Sequence, residues 1–170
     1  MDSKTIAVSA IFGTLWGVIN FTISPYFFRL THLPFFCDII GLVSLFSAIW
    51  ATRKLGTGTL TGIVATIITL MLRSNAFYFI GFTVASILLD IIIWFIGYDR
   101  VFTNKPIIYI PATSILVTAI GGLMIGAFFM NYKETIAILI WSALHAGGGL
   151  IASILVVPII KALEKRLGKV

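Results

Sequence analysis

Long apolar runs, broken by short clusters of charge, proline or glycine, set the pattern of this chain, at about residues 5–24, 33–52, 57–72, 76–96, 106–130 and 135–160. A helix needs roughly 17 to 25 such residues to cross the hydrocarbon core of a bilayer. The pattern therefore predicts an all-α membrane protein: one integral domain over residues 1–170, built as a bundle of six transmembrane helices. The third run is short and depends on five threonines, so it is the weakest of the six as a span. The first run follows Lys4, as in a signal peptide, but it approaches bilayer length and no small-x-small site closes it, so it reads as an uncleaved span. The sequon Asn20-Phe21-Thr22 falls inside that run, which argues against glycosylation.

Composition agrees with this reading. Hydrophobic residues make up 59% of the 170 and charged residues only 11%, with a mean hydropathy of +1.10. A soluble domain of this size needs far more polar surface.

The net charge of +6 would direct a soluble protein toward nucleic acid, but here the placement of the charges matters more than their sum. With the N-terminus inside, the cytoplasmic segments hold Lys4, Arg53, Lys54, Arg100, Lys105, Lys161, Lys165, Arg166 and Lys169. The outer segments hold only Arg29, Arg73 and Lys133. This bias follows the positive-inside rule and predicts a multi-pass protein of the cell membrane with both termini cytoplasmic; it implies the lipid bilayer and no nucleic acid as partner. The last run ends in Lys161-Ala-Leu-Glu-Lys-Arg166, basic side chains that suit a helix carboxyl terminus.

Polar residues inside apolar runs are the candidates for chemistry. Asp38 and Asp90 each sit where an ionised carboxylate costs about 2.5 to 3.5 kcal/mol at mid-depth. Asp38 falls near the outer end of its helix, where a ligand can reach it. Asp90 falls in the inner half of the fourth helix, which suits a structural partner or a subunit contact as well as a ligand. Trp141 and His145 are one helical turn apart on one face, an aromatic platform beside a polar tip that suits a flat heterocycle.

Asn20, Asn75 and Tyr78 belong to outer helix ends and join Asp38, Trp141 and His145 as candidate substrate-binding residues. Arg73, Asn131, Tyr132 and Glu134 share that location. A carboxylate at Asp38 would favour a substrate that is cationic or rich in hydrogen-bond donors, with Pro25-Tyr-Phe-Phe-Arg-Leu-Thr-His-Leu-Pro34 closing above it through Tyr26 and His32. Ser9, Gly13 and Gly17 form a smooth stripe at spacing four, with Ala10 and Thr14 on the adjacent ridge. Such a stripe serves either packing within the bundle or docking of a separate membrane subunit.

Enzyme signatures are missing. Gly56-Thr-Gly-Thr-Leu-Thr-Gly62 lacks the lysine of a phosphate-binding loop, and the two histidines form no His-Glu-x-x-His site, so no catalytic residue, cofactor or metal is assigned. Cys37, the single cysteine, permits neither an internal disulfide nor a thiolate metal site.

The stripe Ser9-x-x-x-Gly13-x-x-x-Gly17, the Arg53-Lys54-Leu-Gly56 turn into a threonine-rich helix, and the segment from Leu144-His-Ala-Gly-Gly-Gly149 to Pro158-Ile-Ile-Lys161 together carry a resemblance. The chain resembles the S-components of energy-coupling factor (ECF) transporters, which capture vitamins for ABC-type uptake. Ile49-Trp-Ala-Thr-Arg-Lys-Leu-Gly56 is similar to the YkoE-type subset, associated with thiamine or its hydroxymethylpyrimidine precursor. The resemblance implies a non-catalytic six-helix bundle with an outward small-molecule pocket beneath the first long loop. It also implies docking through the first helix to a transmembrane coupling subunit, with energy from two separate ATPase subunits. The family's docking pattern is Ala-x-x-x-Ala, and serine and glycine stand in its place here. The sequence also admits a self-sufficient channel or secondary carrier, and a ligand-free accessory subunit of a membrane complex.

Overall fold

The computed structural model describes residues 2–130 and 132–168; Asn131 and Lys169, used in the sequence reading, lie outside them. The order along the chain is α1 (Ser3–Thr22), α2 (Ser24–Thr31), α3 (Phe35–Thr52), α4 (Thr57–Leu72), α5 (Phe79–Ile96), a π-helical turn (Arg100–Asn104), α6 (Pro106–Met124), a second π-helical turn (Ile125–Phe129) and α7 (Thr135–Leu167). No strand occurs among the described residues.

Local chemistry sets the boundaries. The Asp2 carboxylate accepts from the Thr5 amide at 3.1 Å and caps α1. Pro25 occupies the first turn of α2, where its fixed φ costs no hydrogen bond. Gly56, at φ 95°, takes the left-handed conformation that lets α4 turn back immediately after α3. The expected loop from Pro25 to Pro34 is therefore mostly a short helix laid across one end of the bundle.

Five helices are long and apolar enough to cross a membrane: Ser3–Thr22, Phe35–Thr52, Phe79–Ile96, Pro106–Phe129 and Thr135–Leu167. Their outward side chains are apolar, Phe95 being 83% and Ile154 66% exposed. Such a belt belongs against lipid. The third apolar run, α4, has 16 residues. At about 1.5 Å per residue it is roughly 24 Å long, against about 30 Å of hydrocarbon.

The core is aromatic and aliphatic. Trp16, Phe46, Phe79, Phe102, Leu89 and Ile93 are buried, with Trp16 and Phe79 rings 5.3 Å apart. The indole of Trp16 covers Gly41 so closely that a Cβ there would stand 2.8 Å from its ring.

The small stripe of α1 is filled from within the chain. Ser9 Oγ donates to the Thr57 carbonyl at 3.1 Å. A Cβ on Gly13 would stand 2.7 Å from the Thr61 carbonyl oxygen, and one on Gly17 would stand 2.9 Å from Ile68 Cβ. Ser9, Gly13 and Gly17 are therefore a packing seam against α4 and not a free docking surface. Threonine, glycine and alanine on α4 are small enough to let the two backbones approach. Ala10 and Thr14, on the next ridge of α1, stay exposed.

Asp90 also has a structural task. Gly56 offers no side chain to cap α4, and Asp90 Oδ2 supplies the cap from α5, accepting from the Gly56 amide at 2.8 Å, the Thr59 amide at 3.0 Å and the Thr59 hydroxyl at 2.9 Å. A carboxylate suits the positive end of a helix, and this explains how an acid is tolerated in an apolar helix.

The two ends of the described chain meet at one end of the bundle. Lys54 pairs with Asp2 at 2.5 Å. Arg53 pairs with Asp99 at 2.7 Å and also with Glu164, which accepts from the Trp50 indole at 2.9 Å. This cluster ties the α3–α4 turn to the start of α1, the end of α5 and the end of α7.

Candidate functional site

At the opposite end, a cavity of about 270 Å³ opens among the α1–α2 junction, α2, α3, α5, the end of α6 and α7. Its floor and walls include Cys37, Tyr78, Phe82, Ile125, Trp141 and His145, and its rim carries Arg29 and Arg73.

The polar centre of the site is assembled from two helices 107 residues apart in sequence. His145 Nδ1 lies 2.9 Å from Oδ1 and 3.1 Å from Oδ2 of Asp38, and both side chains are almost wholly buried. Glycines make room for the pair. The Asp38 carboxylate lies over Gly148, where a Cβ would stand 2.9 Å from Cγ of Asp38. A Cβ on Gly122 would stand 2.7 Å from Cβ of His145. The Gly147-Gly148-Gly149 run is thus a seat for a carboxylate, since a methyl group at its centre would displace it.

This pairing decides what each residue offers a ligand. Both Asp38 oxygens face the imidazole, so Asp38 orients His145 instead of meeting the cavity. A carboxylate on Nδ1 accepts a hydrogen bond from that nitrogen, and Nε2 is the acceptor whenever the ring is neutral. His145 Nε2 has no protein partner, and neither does the indole Nε1 of Trp141. Trp141 and His145 both line the cavity, and buried polar atoms are normally satisfied, so these two unpartnered atoms are the candidate contacts for a ligand or water.

Aromatic rings frame the space. Trp141 lies 5.5 Å from His145 and 6.2 Å from Phe28, and Phe82 lies 5.7 Å from His145. Tyr132 leans on Trp141 at 6.1 Å.

The structure brings Trp141, His145 and Tyr78 to the cavity and sets the other candidates one step back. Asn20 is buried and accepts from Ser24 Oγ at 2.8 Å; Ser24 is the lining residue. Asn75 accepts from Arg73 Nε at 3.2 Å and steadies that guanidinium. Tyr26 and His32 of α2 do not line the cavity, which takes Phe28 and Arg29 from that helix.

Sequence reasoning treated Arg29 only as a marker of sidedness and did not single out Phe82. The signal for Phe82 was its position one turn after Tyr78, on the same face of α5. The structure places Asp90 in the α4 cap, away from this cavity.

Compared with protein-family models, curated proteins and solved structures, the chain matches none of them.

Proposed function

We propose that this chain is the substrate-binding membrane subunit of an energy-coupling factor importer, an S-component that captures a vitamin or vitamin precursor from outside. In this reading six helices cross the membrane, α4 being a short crossing, with both termini cytoplasmic. The nine-to-three basic bias supports this topology, and so does the meeting of Asp2, Lys54, Arg53 and Glu164 at one end. The cavity then faces outward beneath α2.

One observation carries the proposal: the unpartnered Nε1 of Trp141 and Nε2 of His145, two residues that line one partly enclosed cavity, with Asp38 holding the imidazole in place. Pockets of this kind, apolar with a few converging polar groups, suit specific binding of a small molecule. Nothing in the site supplies a nucleophile with an aligned base, and the chain has no phosphate-binding loop, so the energy for uptake is assigned to two ATPases acting through a coupling subunit. With Ser9, Gly13 and Gly17 occupied by α4, contact with that coupling subunit falls to the exposed ridge of Ala10 and Thr14.

A channel or carrier would need a polar path through the bundle. Asp38 and Asp90 are instead taken up by separate local partners, which favours capture over conduction. Liposome reconstitution tests this: the protein alone should bind substrate without accumulating it, and ATP-dependent uptake should require the coupling module. Flux through the protein alone would establish the carrier reading in its place.

A further inference from the structure

The charge balance of the cavity lining defines the ligand more narrowly, an inference that rests on the binding role proposed above. The lining contributes several donors: the guanidinium groups of Arg29 and Arg73, the indole N–H of Trp141 and the hydroxyl of Tyr78. It contains no carboxylate. The nearest acid, Asp38, is enclosed behind His145, with its side chain 0% exposed.

Among the described residues, neither Arg29 nor Arg73 pairs with an acid. Asn75 accepts from Arg73 Nε, and the same guanidinium lies within reach of the Tyr78 hydroxyl. The acceptor set by the Asp38 contact, His145 Nε2, is buried in the wall. Between the polar groups lie Phe28, Phe82 and the Trp141 ring. The volume of about 270 Å³ falls just under the ~300 Å³ at which drug-sized ligand pockets begin.

We infer that the cavity binds a small planar aromatic or heteroaromatic carboxylate that carries one N–H or O–H donor away from its charge. The carboxylate meets Arg29 and Arg73 at the rim, where bidentate guanidinium geometry matches it. The ring lies among Phe28, Phe82 and Trp141. An acceptor on the ligand takes the Trp141 N–H, and its donor reaches His145 Nε2. A cationic substrate, which a free Asp38 would have favoured, meets two like charges and no acid in this wall.

The test uses matched pairs with the purified protein in lipid nanodiscs: 4-hydroxybenzoate against 4-hydroxybenzamide, indole-3-acetate against indole-3-acetamide, and thiamine as a cationic probe. Calorimetric titration is run on wild type, R29Q/R73Q and W141A. The inference expects the acids to bind about ten- to a hundred-fold tighter than their amides, the worth of a charge-assisted hydrogen bond. That preference should fall with salt and disappear in R29Q/R73Q, whose exposed substitutions should leave the helical circular dichroism unchanged.

Amides binding as tightly as acids, or an acid preference surviving in R29Q/R73Q, overturns the inference. If thiamine or an amide binds in a W141A-sensitive way without acid preference, the binding subunit stands and only the anionic ligand fails. If no probe binds and no small molecule accompanies the purified protein, the proposed function falls too.

Discussion

His145 Nδ1 sits 2.9 Å from the Asp38 carboxylate, joining α7 to α3 at the floor of a cavity whose wall holds the unpartnered Nε2 of the same ring. One side of the imidazole is committed to the protein and the other has no protein partner. Asp38 therefore acts through His145, and its substitution should change recognition in a way that depends on the replacement.

Asp38→Asn tests this directly. An asparagine amide can donate to Nδ1, which moves the imidazole proton to Nε2 and turns that acceptor into a donor. The fold should survive while affinity for a ligand that donates to Nε2 falls by about ten- to a hundred-fold. Asp38→Ala leaves the imidazole without its buried partner and should destabilise the fold by about 1–3 kcal/mol. Thermal unfolding and calorimetric titration of both variants separate the two effects; equal affinity in Asp38→Asn would contradict the tautomer argument.

Gly148→Ala should act on the same pair by steric means. A methyl group at that position meets the Asp38 carboxylate, so α3 must shift or the carboxylate must rotate off His145. Overpacking of this kind costs about 1–3 kcal/mol. Gly147→Ala, whose Cβ would meet only Phe35 at 3.7 Å, should be tolerated. Similar melting temperatures for the two variants would contradict the seat assigned to Gly148.

Asp90 should affect stability and not binding. Its carboxylate holds three donors at the start of α4, so Asp90→Ala should destabilise the fold by about 1–3 kcal/mol. Asp90→Asn keeps an acceptor oxygen there and should cost less. Ligand affinity, measured below the melting transition, should be unchanged in both.

The N-terminal tether responds to pH. The Lys54 ammonium, helped by Thr5, holds the exposed Asp2 carboxyl well below its ordinary value of 3.8. A lowered folded-state value means the tether contributes fully above about pH 4, and its contribution is lost as pH falls through the depressed value. Amide exchange in the first turn of α1 should therefore show less protection in acid, and Lys54→Gln should weaken that dependence, the rest being carried by Thr5.

The apolar runs made the long helices legible, and the polar and amphipathic residues within them singled out Asp38, Asp90, Trp141 and His145. Periodicity carries no information about partners far apart in the chain. It left open whether the Asp38 carboxylate faces ligand or imidazole, and whether the stripe from Ser9 to Gly17 faces another subunit or α4. The aromatic segment around Tyr26 was legible as an interfacial cover, but its helical phase decides that Phe28 and Arg29 line the cavity and Tyr26 does not. The cap that Asp90 provides was hidden for the same reason, because its donors lie more than thirty residues earlier, on another helix.

The most direct test of the central claim is mass spectrometry of small molecules carried through purification by the wild-type protein and by the Trp141→Ala and His145→Ala variants. A substrate-capturing subunit should release one molecular species, near one per chain, from the wild type, and far less from either variant although both retain their helical content. An empty wild-type protein, or equal release from all three, would contradict the account.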